Sequence, residues 1–211
     1  MAKAKTAIAP EKAPQEGKER RSARDRLLAA ADELFYEEGF NTVGIDRVIE
    51  RAGVAKASLY DVFGSKEELI RSYLAAKQEQ RRALIEARLA AYADPKERLL
   101  GMFDIMADLC SQPGFRGCAF ARAGVEAKPG TSVMATCDQS RAWLRTRFTE
   151  LSKDAGAKDP QALAQQLMLL YDGASMSAHV DHDPAAALSA RRMAEVMLGA
   201  AVGGKPKQQV S

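Results

Sequence analysis

The side chains best suited to metal chemistry in this chain form a short histidine and aspartate cluster near its C-terminus. His179, Asp181, His182 and Asp183 lie close together along the chain, and both residue types can bind zinc. However, no distant third ligand is evident, and Asp183 precedes a proline, where an aspartate caps the start of a helix. A turn between two helices is therefore favoured over a metal site.

The cysteines are the next candidates for chemistry. Cys110, Cys118 and Cys137 are an odd set without a CxxC pair, which favours reduced thiols in a cytoplasmic protein. A redox sensor at Cys118 is the alternative, because Arg116 and Arg122 lie nearby in the sequence and cations stabilise a thiolate. The other two cysteines fall on apolar stripes, which is typical of inert buried thiols. Packing is the favoured role for all three.

Motifs of common enzyme classes are missing from the sequence. It contains no GxSxG, no P-loop, no GxGxxG and no HExxH, and its two histidines offer little general-base capacity. We therefore expect no catalytic site, no cofactor and no bound metal.

The composition and the spacing of apolar residues predict an all-α protein. Of 211 residues, 46% are hydrophobic and 28% are charged, which is enough apolar material for a core. Apolar residues recur with the helical period, and no strand-like alternation is present. The predicted architecture is about nine helices, with an N-terminal three-helix unit joined by a long helix to a C-terminal bundle.

The charge balance excludes a simple electrostatic argument about partners. Lysine and arginine number 31 against 28 acidic residues, so a net charge of +3 does not by itself indicate nucleic-acid binding. No apolar run approaches the ~20 residues of a membrane span. Charged residues stand where a signal peptide would have its apolar core, so we expect a cytoplasmic protein without a membrane partner.

Residues 44–63, GIDRVIERAGVAKASLYDVF, predict two short helices joined by a tight turn at Gly53. A long helix precedes them, and Leu59, Val62 and Phe63 are predicted to face inward. This arrangement is a helix-turn-helix, whose second helix enters the major groove of DNA. An ordinary compact helical corner with an exposed tyrosine is the alternative.

Small and polar residues on the outer side of this unit are the candidate DNA contacts. Small residues at the start of the second helix permit close approach to the groove, Tyr60 can donate to a phosphate, and Lys66 adds positive charge. At the start of the preceding helix, Thr42 and the Gly44 amide can hold the other strand. The full candidate set is Thr42, Gly44, Ala55, Lys56, Ala57, Ser58, Tyr60, Asp61 and Lys66.

Residues 20–80 resemble the DNA-binding domain of the tetracycline-repressor (TetR) family. The resemblance rests on LLAAADELFYEEGF, followed by IDRVIERAGVAKASLYDVFGSKEELI. It implies a dimeric transcriptional regulator, usually a repressor, with a C-terminal effector domain. Gly44 and Asp61 depart from the residues that many relatives carry, so the preferred bases stay open. The rival interpretation is a helical small-molecule-binding protein or enzyme without specific DNA binding.

The resemblance also organises the rest of the chain. We expect a flexible arm at 1–19, a DNA-binding domain at 20–80, an effector and dimerisation domain at 81–203 and a flexible tail at 204–211. The expected partners are a palindromic DNA operator, a second copy bound through residues 159–202, and an unidentified small molecule. Candidate pocket residues are Phe103, Met106, Phe120, Met134, Trp143, Leu167 and Tyr171. Effector binding is expected to shift the helix of residues 66–92.

Overall fold

The computed structural model describes residues 21–203, so the predicted N-terminal arm and C-terminal tail lie outside the described residues. Within this range the prediction of an all-α protein with nine helices is confirmed. None of these helices is both long and apolar enough to cross a membrane. The helices are α1 Ala23–Glu38, α2 Ile45–Ala52, α3 Lys56–Phe63, α4 Lys66–Leu89, α5 Pro95–Cys110, α6 Ala119–Glu126, α7 Ser132–Asp154, α8 Pro160–Val180 and α9 Ala185–Gly203.

Capping residues set the starts of several helices as the sequence predicts. The Asp94 carboxylate accepts hydrogen bonds from two backbone amides of α5, and Pro95 is the first residue of that helix. Asp159 and Pro160 repeat the arrangement at α8. The Ser65 hydroxyl accepts from the first turn of α4 at 3.1 Å. Each cap satisfies amides that have no partner inside the helix, which stabilises that end.

The buried apolar residues of the described chain fall into two clusters. The N-terminal cluster contains residues of α1, α2, α3 and the first half of α4, together with Phe120 of α6 and Val133 at the start of α7. The C-terminal cluster contains the end of α4, α5, the rest of α7, α8 and α9, with Phe103 and Phe148 at its centre. Consequently α4 and α7 contribute to both clusters.

A polar seam of Gln78, Arg81 and Ser140 lies where α4 passes α7. The Ser140 hydroxyl donates to Gln78 Oε1 at 2.6 Å, and these two side chains are only 1% and 7% exposed. Arg81 Nη1 lies 3.5 Å from Ser140 Oγ. Because buried polar groups are costly unless hydrogen-bonded, this seam fixes how the two helices face each other.

One detail of side-chain placement differs from the sequence pattern, and α8 has a wide buried face. Val62 was predicted to face inward but is 39% exposed, because Leu59 and Phe63, one turn apart, suffice to anchor the short α3. On α8, Met168 and Tyr171 are buried together with Leu163 and Leu167. Helix α8 packs against α5, α7 and α9, so its buried face is wider than a single stripe.

Candidate nucleic-acid interface and ligand cavity

The turn between α2 and α3 is held by backbone geometry and by one arginine from α1. Gly53 adopts φ +62°, a left-handed conformation in which a side chain is strained. Arg26 Nη1 donates to the Gly53 carbonyl oxygen at 3.0 Å. The sequence analysis missed this contact because the two residues are 27 positions apart. The turn is thereby fixed to α1, which sets the direction of α3.

The outer face of α3 combines polar groups with small residues. Lys56 and Tyr60 lie one turn apart, as do Ala57 and Asp61, and all four are exposed. The tyrosine ring is 46% exposed. Small residues at the N-terminal end, including Ala55, leave the helix amides accessible to an anion. This face offers donors suited to phosphate and a carboxylate suited to a base amine.

The remaining candidate DNA contacts occupy less uniform positions. Thr42 and Gly44 are exposed before α2, and Gly44 caps that helix without a side-chain hydrogen bond. Ser58 is half-buried. Lys66 is the first residue of α4 and is also half-buried, and burial lowers its pKa while the nearby Glu126 carboxylate opposes the change. Contact of these residues with DNA stays a prediction.

All three cations of α2 and α3 form ion pairs. The Arg47 guanidinium donates two hydrogen bonds to Glu38, and this contact holds the pKa of that carboxyl below its ordinary value. Both side chains of the pair between Lys56 and Asp46 are well exposed, and such pairs are weak. A phosphate can therefore compete for this lysine. The pairs are Arg47–Glu38 at 2.7 Å, Arg51–Glu33 at 2.6 Å and Lys56–Asp46 at 2.9 Å.

A cavity of about 770 Å³, termed the main cavity, lies between α4, α6, α7 and α8. An adjoining cavity of about 330 Å³ extends from it toward α1 and α5, and Arg81, Phe120 and Tyr171 form walls of both. The main cavity has the volume of a typical small-molecule site. Four of the predicted pocket residues line these cavities. Phe120 and Tyr171 border both, Met134 borders the main cavity, and Met106 borders the adjoining one.

Three of the predicted pocket residues need correction, because they do not line either cavity. Phe103 and Leu167 are fully buried in the C-terminal cluster. Trp143 packs against the same cluster, and the Arg82 guanidinium lies over its ring at 5.3 Å. Its neighbour Leu144 lines the main cavity instead. Adjacent residues on a helix point about 100° apart, so a shift of one position exchanges a wall residue for a packing residue.

The polar groups on the cavity walls are unevenly matched. Arg141 pairs with Asp172 at 2.7 Å. His179 Nδ1 is buried without a hydrogen-bond partner among the described residues. Burial raises the pKa of Tyr171, and interaction with Arg81 opposes the change only in part, so this residue keeps a neutral hydroxyl. The cavity is therefore mainly apolar, with a few polar groups that can fix the orientation of a ligand.

Hydrogen bonds tie α6 and the segment before it to the C-terminal end of α1. The Tyr36 hydroxyl donates to the Gly117 carbonyl oxygen at 3.1 Å and accepts from the Arg116 amide at 2.9 Å. The Arg122 guanidinium donates to the Tyr36 carbonyl oxygen and lies over its ring at 5.8 Å. A single tyrosine of α1 thus holds both the entry to α6 and its first turn.

The other end of α6 holds the segment between α1 and α2. Glu126 Oε2 accepts from the Asn41 amide at 2.9 Å, and Asn41 Nδ2 donates to the Glu126 carbonyl oxygen at 3.0 Å. At Gly39, where φ is +86°, an added Cβ would lie 2.7 Å from Glu126 Oε1. These contacts and those of Tyr36 together form the α1–α6 network. The sequence analysis missed it, although the spacing of Arg122 and Glu126 placed both on one face of a helix.

The histidine and aspartate cluster forms a turn. An oxygen of the Asp183 carboxylate accepts from the Ala185 amide at 2.8 Å, which caps α9, and His182 has φ +53°. Residues 21–203 contain no group of three His, Cys, Asp or Glu side chains arranged to hold a metal ion.

Cys110 and Cys137 are buried, and burial raises the pKa of each thiol, to about 11 for Cys137.

Comparison with known proteins places this architecture in a family. The sequence family described as "Bacterial regulatory proteins, tetR family" matches residues 27–73. The crystal structure of SCO4454, a TetR-family transcriptional regulator from Streptomyces coelicolor, is similar with a TM-score of 0.81 and 32% sequence identity. The similarity covers 85% of this chain and 95% of SCO4454.

Two curated relatives extend the comparison. The transcriptional regulator AcuR from Cereibacter sphaeroides is 28% identical over 173 residues, which cover 77% of this chain and 78% of AcuR. The transcriptional activator FasR from Mycolicibacterium smegmatis is 36% identical over 76 residues, and the match covers 36% of this chain and only 35% of FasR. With its N-terminal helix-turn-helix and helical C-terminal region, this chain belongs to the TetR family of transcriptional regulators.

Proposed function

We propose that this regulator is a repressor that binds a palindromic operator as a homodimer and releases it when a small molecule enters the main cavity. The observation that carries this proposal is the dual position of α6. Its residues line the main cavity, and the same helix is held to α1 by the α1–α6 network. A ligand that displaces α6 therefore acts through hydrogen bonds on α1 and on the segment that leads into the helix-turn-helix.

Two routes lead from the cavity to the DNA-binding surface. The first is α4, whose Arg81 lies on the cavity wall and whose N-terminal end follows α3 directly. The second is α6, through Tyr36 and Asn41. Ligand binding changes DNA affinity only if the two conformations bind the ligand differently, and such coupling is typically worth about 1–3 kcal/mol. The short hydrogen-bonded path through α6 favours coupling of that size.

A dimer is favoured by exposed apolar side chains on the last two helices. Val196 is 73% exposed and Leu169 is 67% exposed, whereas large apolar residues of a monomer's outer helices normally face inward. A two-fold contact between these helices would place two copies of α3 against half-sites about 34–36 Å apart. The exposed apolar residues of α8 and α9 are Leu169, Met176, Val180, Leu188, Met193 and Val196.

The proposed activity takes place in the cytoplasm, where the chromosome of a bacterium is accessible, and acts through binding rather than catalysis. Free cysteines at all three positions are compatible with a reducing compartment. The relative FasR is named an activator, so a reporter assay must measure whether this protein represses or activates transcription.

Selection of duplexes from a random DNA library tests the proposal. We expect an inverted repeat with half-sites one helical turn apart, bound by a dimer, and repression of a reporter that carries the repeat in its promoter. Enrichment of no sequence, or of a single half-site bound by a monomer, would contradict operator binding as proposed. Increased reporter expression would overturn the assignment as a repressor while leaving the DNA-binding assignment intact.

A further inference from the structure

The cations along α4 differ in whether a carboxylate accompanies them. Lys77 pairs with Asp32 at 2.7 Å, Arg82 lies 3.5 Å from Glu79, and Arg88 pairs with Asp108. Arg81 stands among them on the same helix. Among the described residues 21–203, no carboxylate lies within ion-pair distance of it. Lys66 at the start of α4 also has no ion pair among these residues, but of the α4 cations only Arg81 forms a wall of both cavities.

The surroundings of Arg81 offer few acceptors for its N–H groups, and the Tyr171 hydroxyl, which is hydrogen-bonded to the guanidinium, is one of them. The guanidinium lies over the Phe120 ring at 5.7 Å, which contributes cation–π attraction but no hydrogen-bond acceptor. Ser140 Oγ can also accept, since its hydrogen is donated to Gln78, but its contact with Arg81 is long, at 3.5 Å. Gln78 Nε2 is itself buried without a partner. The polar seam is thus rich in donors and short of acceptors.

A half-buried guanidinium without an anionic partner is costly, because burial weakens its hydration without replacing it. The carboxylates on the cavity wall do not fill the role. Asp172 is paired with Arg141, Glu126 accepts from Asn41, and Asp138 is exposed. A bound anion would satisfy Arg81, and a guanidinium binds a planar acid group through two parallel hydrogen bonds.

We infer that the effector of this regulator is an organic acid, with an apolar body in the main cavity and its anionic group bound by Arg81, beside Ser140 and the Tyr171 hydroxyl. This inference rests on the proposed function, since it assigns the chemistry of that cavity's ligand. Apolar wall residues such as Met134 and Leu144 suit the body of such a molecule. An acid group that draws Arg81 away from Phe120 removes a contact that α4 makes with α6.

Two fluorescent probes with one aromatic skeleton test the inference. Anilinonaphthalene sulfonate carries an acid group, phenylnaphthylamine lacks it, and both become brighter in an apolar site. Each is titrated into the wild-type protein, Arg81→Met and Arg82→Met. The second variant is the matched control, because Arg82 is adjacent on α4 but lies over Trp143 and lines neither cavity.

We expect the wild type and Arg82→Met to bind the anionic probe about tenfold or more tightly than the neutral one, as for a charge-assisted hydrogen bond. Arg81→Met should lose this preference and still bind the neutral probe. Equal affinity of the wild type for both probes, binding of neither, or a preference that survives Arg81→Met would overturn the inference.

The same proteins titrated with a selected operator duplex separate this inference from the proposed function. Operator binding by all three proteins, with release of the wild type by the anionic probe and not by the neutral one, supports both. Release by the neutral probe alone overturns the organic acid and preserves the release mechanism. Failure of the wild type to bind any selected duplex overturns the proposed function, whatever the probes show.

Discussion

The two hydrophobic clusters of this regulator are built from differently distributed parts of the chain. The C-terminal cluster collects helices that follow one another, from the end of α4 onward, with α6 left out. The N-terminal cluster collects α1 to α4 and then adds α6 and the start of α7, more than 40 residues further along the chain. The cavity lies where the two clusters meet, and its walls include helices of both. A molecule bound in the cavity would therefore contact helices that also belong to the core of the N-terminal cluster.

The outer surfaces of the two clusters differ as well. Both surfaces carry ion pairs, but the outer face of α3 exposes mainly small and polar residues, whereas α8 and α9 over the C-terminal cluster expose large apolar side chains. The surface over the N-terminal cluster suits contact with a nucleic-acid backbone, whereas the apolar surface of α8 and α9 suits contact with another protein. Three substitutions test this division, beginning with the largest expected effect.

Val196→Glu should convert the protein to monomers and weaken operator binding more than about 100-fold, because two linked half-sites multiply affinity. A charge at this 73% exposed position should leave the helix content largely intact. Sedimentation and DNA titration measure the two effects. Ala87→Glu is the control, since Ala87 is also exposed but lies on α4 and lines neither cavity. A Val196→Glu protein that stays dimeric and binds DNA would place the dimer interface elsewhere.

Gly39→Ala should destabilise the fold by about 1–3 kcal/mol, through strain at positive φ and because the added Cβ displaces the Glu126 carboxylate from the Asn41 amide. Gly114→Ala is the control for the strain that a side chain causes at positive φ, because φ at Gly114 is +80° and nothing lies within 4 Å of the added Cβ. Urea unfolding measures both. Equal losses of stability in the two variants would show that the hydrogen bond between Glu126 and the Asn41 amide adds no stability, which would weaken the proposed link between the clusters.

Tyr60→Phe should reduce operator affinity by about threefold to tenfold for every DNA sequence alike, since it removes one hydrogen bond to phosphate. Tyr92→Phe removes a hydroxyl that donates to Asp104 in the C-terminal half and should leave DNA affinity unchanged. Fluorescence anisotropy with selected and unrelated duplexes provides the comparison. An unchanged affinity for Tyr60→Phe would remove this side chain from the DNA-binding face.

Local signals in the sequence predicted the helices and the helix-turn-helix, because each signal and its effect lie within one or two turns. Asp94 before Pro95 and the glycine at 53 are examples. The α1–α6 network could not be predicted this way, since Asn41 and Glu126 are 85 positions apart. Helical periodicity also does not distinguish a core residue from a cavity wall. Phe103 and Phe120 both lie on apolar faces, yet only the second borders a cavity.

The division of the N-terminal cluster between two stretches of sequence restricts how such regulators can recombine. A segment ending near residue 80 carries the predicted DNA-contact residues but not Phe120, Ala123, Val133 and Cys137, which complete its core. If the N-terminal segment of another regulator were joined at that point, its core residues would pack against an α6 whose side chains fit a different sequence. Operator specificity is therefore easier to change by substitution on the outer face of α3 than by transfer of a segment that ends near residue 80. A segment that is transferred together with its core must also include α6.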